Sequence, residues 1–135
     1  MKQICLHTSC FIPHTFHVNV RILIIEDEPD LAEVYKMALE EQGCSIAGVH
    51  ARPSGVFTDP ALFPPPDVII LDEHLDGGGS GSESIAELRR AFPLVRIILA
   101  TGDTHSVTPS AKPDAVLPKP FALKSLVETI ARLVA

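Results

Sequence analysis

Pro66-Asp67-Val68-Ile69-Ile70-Leu71-Asp72 is the stretch that says most about the architecture. Val68 to Leu71 are all apolar and mostly β-branched, with no polar residue alternating between them. Such a run reads as a strand buried on both faces, the habit of a parallel sheet covered by helices. A carboxylate, Asp72, closes it. The same pattern recurs on either side. Val20-Arg21-Ile22-Leu23-Ile24-Ile25 runs into Glu26-Asp27, Ile97-Ile98-Leu99-Ala100 into Thr101, and Ala115-Val116-Leu117-Pro118 into Lys119. In open α/β sheets the ligand site lies beyond the carboxyl ends of the strands. Carboxylates, a hydroxyl and an ammonium, distant in sequence, are therefore expected on one rim.

The intervening segments fit the alternation unevenly. Pro29 suits the first turn of a helix, Leu31, Val34, Tyr35, Ala38 and Leu39 recur at helical spacing, and Gly43 is a natural stop. Cys44–Val49 reads as a second strand. Residues 51–66 hold Pro53, Gly55, Pro60 and Pro64-Pro65-Pro66, so any second helix is short. Residues 77–82, Gly-Gly-Gly-Ser-Gly-Ser, read as a flexible loop. A third helix follows with Ile85, Leu88 and Ala91 inward, closed by Pro93. Residues 102–114, with Gly102, Pro109 and Pro113, are poor material for a fourth. The last helix starts near Phe121 and buries Leu123, Leu126, Val127, Ile130 and Val134. The expectation is a doubly wound α/β domain over residues 20–135, without linker, repeat or second domain.

Bulk properties narrow the function classes. The 135 residues suit one domain, and a net charge of −6 disfavours direct nucleic-acid binding. Three cysteines, Cys5, Cys10 and Cys44, make no disulfide framework, so a reducing cytoplasm is expected. No apolar stretch reaches membrane-spanning length, and no signal peptide is read. Residues 1–19 lack any period and are expected to be a disordered leader. Cys5, Cys10, His14 and His17 are too closely spaced for a zinc finger.

Taken singly, the rim residues have plain explanations. Asp27 or Glu28 caps a helix before Pro29, Asp72 caps a turn, Thr101 is a strand-end hydroxyl and Lys119 a surface lysine. Taken together, at the ends of successive strands, they form a chemistry. Clustered carboxylates call for a hard cation, and Mg²⁺ takes oxygen ligands. An Asp beside it can attack phosphorus. Lys119 and Thr101 can neutralise and hydrogen-bond phosphoryl oxygens, which is most of what phosphoryl transfer needs.

Ile22-Leu23-Ile24-Ile25-Glu26-Asp27-Glu28-Pro29, Pro66–Asp72 and Leu117-Pro118-Lys119-Pro120-Phe121 resemble the receiver domain of two-component response regulators. The resemblance covers Val20 to Ala135. It implies a flavodoxin-like five-stranded parallel sheet of order 2-1-3-4-5. It matches Glu26 and Asp27 to a Mg²⁺-binding acidic pair, Asp72 to the phosphoacceptor, Thr101 to the switch hydroxyl and Lys119 to the family lysine. It implies further that the His74 main-chain carbonyl binds the metal and that the Lys119–Pro120 peptide is cis. The partners it implies are a sensor histidine kinase or a histidine phosphotransfer protein, with a downstream protein target.

Two departures bear on output. Val116 stands where the family has Tyr or Phe, and the segment between Thr101 and Lys119 is short. Leu99-Ala100-Thr101-Gly102 is similar to a Phe-Ala-Thr-Gly subgroup of single-domain receivers with a degenerate fourth helix, Leu99 replacing Phe. Output by ordering of residues 102–114 is expected, rather than by an aromatic flip, from a monomer. His74 and Asp103, flanking the phosphoryl site, are candidates for setting the dephosphorylation rate. The competing readings are a phosphate sink, a phosphorylation-independent interaction module, and a haloacid-dehalogenase-like phosphohydrolase. The last requires its nucleophile on the first strand, where this chain has Glu26-Asp27-Glu28.

Overall fold

The computed structural model describes residues 19–75, 79–108 and 110–135. Expectations for the leader, for the Cys5/Cys10/His14/His17 set, for Gly77 and Gly78 and for Pro109 fall outside these residues. Five parallel strands form one sheet: β1 (Arg21–Ile25), β2 (Ser45–His50), β3 (Val68–Asp72), β4 (Arg96–Thr101) and β5 (Ala115–Pro118). Their order is β2-β1-β3-β4-β5, the doubly wound arrangement expected. Every residue of β3 is buried, which explains its unbroken apolar run.

Alternation along the strands divides the core in two. Ile22, Ile24, Val68, Ile70 and Ile98 face one side, where α1 (Pro29–Glu41) and α3 (Leu123–Val134) cover them with Tyr35, Leu39, Leu126, Val127 and Ile130. Leu23, Ile25, Ile69, Leu71, Ile97 and Leu99 face the other, under α2 (Ile85–Ala91), Val56 and Leu62. Along α1 the inward track is Ala32-Tyr35-Leu39, with Leu31 and Ala38 partly buried. Val34, expected inside, is 46% exposed. It lies beside that track and lines an open apolar groove with Leu31, Tyr35, Pro120 and Phe121.

The proline-rich crossover has no α-helix. Two 3₁₀ turns, Pro53–Thr58 and Pro60–Leu62, cover that part of the sheet instead. Between β4 and β5 the described residues hold a single 3₁₀ turn, Thr104–Ser106, so the fourth helix is degenerate as expected. Residues 79–82 of the Gly/Ser segment take up regular structure where a flexible loop is expected. Gly79–Ser80 pairs antiparallel with His74–Leu75, and Gly81–Ser84 is a 3₁₀ turn leading into α2. Its physical cause is a close approach. A Cβ at Gly81 would collide with the Asp72 carbonyl oxygen, so only glycine lets the loop lie against the end of β3. The last helix begins at Leu123, two residues later than expected, with Ala122 as its extended cap.

Candidate functional site

β1 and β3 are neighbours, so their ends bring three carboxyl groups together. Glu26, Asp27 and Asp72 each offer an oxygen within 4.8 Å of the others. The Glu26 backbone N–H donates to the His50 carbonyl at 2.9 Å, tying the rim to the end of β2. Its carboxyl accepts the Glu28 N–H at 3.1 Å. Glu26 and Asp72 are buried, and Asp27 is partly exposed. Burial pushes the Glu26 carboxyl up to about 7; the Glu28 N–H opposes this, the charge of Asp72 adds to it, and Lys119 opposes it.

Lys119 enters from β5. Its backbone N–H donates to the Thr101 carbonyl at 2.7 Å, extending the β4–β5 ladder. Its Nζ donates to Asp72 Oδ1 at 3.1 Å and Glu26 Oε1 at 3.4 Å. The Lys119–Pro120 peptide is cis. Burial pulls the Lys119 pKa down, but the hydrogen bond and charge of Asp72 and the charge of Glu26 outweigh it, leaving the ammonium above its ordinary value. Tyr35 stacks on Phe121 with ring centroids 5.8 Å apart. Burial first, then the negative charges of Glu26 and Asp72, raise its pKa and keep it a neutral phenol.

Thr101 and His74 stand differently. Thr101 is fully buried at the end of β4, and its hydroxyl is committed to the main chain of Asp103. It donates to the Asp103 carbonyl at 2.9 Å and accepts the Asp103 N–H at 3.0 Å. The His74 N–H donates to Asp72 Oδ1 at 3.3 Å, which puts its main chain beside the carboxylate while its imidazole is exposed. Val116 is 38% exposed on β5. The donor set is all oxygen and carries more negative charge than one ammonium can offset. That fits Mg²⁺ better than a nitrogen- or sulfur-preferring metal.

Three residues beside the rim were not singled out from the sequence. Glu73, immediately after Asp72, is completely buried. One of its oxygens accepts the Ser82 N–H at 2.7 Å and the other the Ser82 hydroxyl at 3.0 Å. Ser82 in turn contacts Thr108.

Residues 22–131 match the response regulator receiver domain family. The probable transcriptional regulatory protein TcrX of Mycobacterium tuberculosis is 30% identical over 112 residues, covering 80% of this chain and 47% of that protein. The phosphate regulon transcriptional regulatory protein PhoB of Escherichia coli is 32% identical over 117 residues, covering 82% and 49%. The chain thus spans about half the length of these curated relatives. Among solved structures, the response regulator TrrA of Thermotoga maritima, in complex with Mg²⁺-BeF, aligns with a TM-score of 0.72 at 29% identity. It covers 84% of this chain and 98% of that one. A CheY-like receiver domain from Methylobacillus flagellatus reaches a TM-score of 0.73 at 23% identity, covering 86% and 99%, and shares the fold. The chain belongs to the response regulator receiver family.

Proposed function

We infer that the protein is a response regulator, its receiver spanning residues 20–135, that takes a phosphoryl group onto Asp72. The observation that carries this reading is the Lys119 ammonium lying between Asp72 and Glu26, with Asp27 completing an oxygen cluster. Glu26, Asp27, Asp72 and the His74 carbonyl would hold Mg²⁺. The bound cation supplies charge neutralisation at the phosphoryl oxygens. An Asp72 oxygen attacks the phosphorus of a phosphohistidine on a sensor kinase or phosphotransfer protein. The P–N bond breaks as the new P–O bond forms, and the departing imidazole takes up a proton. Lys119 stays as a point charge against the transferred group. Thr101 leaves Asp103 and donates to a phosphoryl oxygen. Hydrolysis of the acyl phosphate returns the first state.

The consequence is a two-state surface read by a downstream protein, the chain itself acting as a signalling module. Its acidic charge supports a protein target over nucleic acid, and cysteines without a disulfide framework support a cytoplasmic setting. Among the described residues no helix is long and apolar enough to cross a membrane. Without a fourth helix to build the usual family interface, a monomer is the state we assign. The second reading is a binding module that does not switch, favoured by Val116 in place of an aromatic residue. Peptide mass spectrometry after incubation with acetyl phosphate and Mg²⁺ separates the two. An adduct on Asp72, absent without Mg²⁺ and in Asp72→Asn, is the expected result. No adduct from acetyl phosphate or from a panel of phosphorylated kinases supports the second reading.

A further inference from the structure

The geometry points to Glu73 as a positioning residue: through Ser82 and Thr108 it brackets the two loops that flank Asp72, leaving residues 103–107 as the segment that responds to phosphorylation. The first tether of that segment is Thr101, whose hydroxyl holds both the N–H and the carbonyl of Asp103. The second is Thr108. Its N–H donates to Ser82 Oγ at 3.3 Å, and its Oγ1 lies 3.2 Å from the same oxygen. Ser82 has one hydroxyl proton. Glu73 Oε2, at 3.0 Å, is the stronger acceptor, so the Thr108 hydroxyl supplies the proton of the Ser82–Thr108 contact.

The bracket has no give. Glu73 is 0% exposed and Ser82 3%. The Glu73 backbone is fixed twice: its N–H donates to the Ala100 carbonyl at 2.9 Å, and its carbonyl accepts the Gly81 N–H at 2.8 Å. Gly81 itself lies against the Asp72 carbonyl. A buried carboxyl whose two oxygens serve one serine, and that serine a threonine 26 residues away, is costly unless fully satisfied. Asp72 closes β3 with its carboxyl in the acidic rim, and Glu73, the next residue, turns its carboxyl to Ser82 in the bracket. The two tethers therefore differ in kind. Thr101 is needed by the phosphoryl group and must let go of Asp103. Thr108 is held by Glu73 whatever the state of Asp72.

This rests on the phosphoryl-accepting role proposed above, and the test keeps the two apart. Amide hydrogen exchange of the full chain is followed with and without acetyl phosphate and Mg²⁺, with phosphoryl occupancy of Asp72 read by mass in the same samples. In the native chain, phosphorylation is expected to speed exchange over residues 103–107 about tenfold, a loosening in place of the ordering expected from the sequence, with Thr108 unmoved. Thr108→Val should show exchange about tenfold faster at 103–107 before any donor is added, with unchanged phosphoryl uptake. Thr108→Ser, which restores the hydroxyl, should return the native pattern. Glu73→Gln should behave as Thr108→Val and loosen residues 80–83 as well; if it fails to fold, the Thr108 pair decides. Native-like exchange in Thr108→Val, both before and after Asp72 is phosphorylated, overturns the bracket. Loosening in Thr108→Val in a chain that takes no phosphoryl group sustains the bracket and removes the proposed function instead.

Discussion

Lys119 bonds to both Glu26 and Asp72, the buried carboxyl groups of the rim, and its removal separates binding from chemistry. In Lys119→Gln the acidic cluster loses its internal neutralisation. Mg²⁺ should then bind more tightly by calorimetry, while phosphoryl uptake falls at least tenfold, about 1.4 kcal/mol of transition-state stabilisation. Glu26 gives a pH dependence. Its folded pKa, about 7, lies above the ordinary carboxylate value of 4.5, so the folded state holds a proton that the unfolded chain releases. Its contribution to stability is therefore full below about pH 4.5 and is lost as pH rises through about 7. In EDTA, Tm should fall across that window, and saturating Mg²⁺ should offset the loss at the upper end. Thermal melts from pH 4.5 to 8 with and without the ion check both signs. The carboxylates and Lys119 were legible because each ends an apolar run. Glu73 was not: a glutamate between Asp72 and His74 looks like the start of a solvated loop, and only the structure shows it buried against Ser82, 9 residues on.

At the level of single elements, β1, β3 and β4 are legible because burial on both faces leaves an unbroken apolar signature, whereas the edge strands β2 and β5 are only partly buried. The helices are less legible because apolar spacing alone does not fix which face turns inward; Val34 shares the apolar spacing of α1 yet is exposed, while Ala32 is buried. The loop at residues 79–82 looked flexible because glycine and serine have that composition anywhere. Here glycine is required by contact, and serine by a buried acceptor. Gly81→Ala drives a methyl group into the Asp72 carbonyl, and overpacking of that kind costs about 1–3 kcal/mol. Chemical denaturation should show that loss. Phosphoryl uptake should fall too, since the backbone that must yield carries Asp72. The β4–β5 connection needs no helix because Thr101, Ser82 and Arg89 hold it in turn. Arg89 donates to the Lys112 carbonyl and to Asp114, both at 3.0 Å.

Across the whole molecule, two apolar layers sandwich a sheet whose central strand is sealed on both sides. Ile70→Ala should cost about 2–5 kcal/mol, since Ile70 is 1% exposed at the middle of that strand. Cys44 belongs to the same sealed interior. Burial pushes its thiol up to about 11, so in the native state it should resist alkylation at pH 8 and react only on unfolding, which peptide mapping with iodoacetamide would show.

β3 also has a kinetic meaning. Asp72 caps the most enclosed strand of the molecule, flanked by β1 and β4 along its length. The nucleophile proposed at that position cannot travel to meet its donor. The donor must be delivered to it, and any geometric misfit has to be absorbed by the incoming protein or by the surface loops. Variants that soften the periphery should therefore alter who can deliver and who can read the phosphoryl group long before they alter the intrinsic reactivity of the carboxylate.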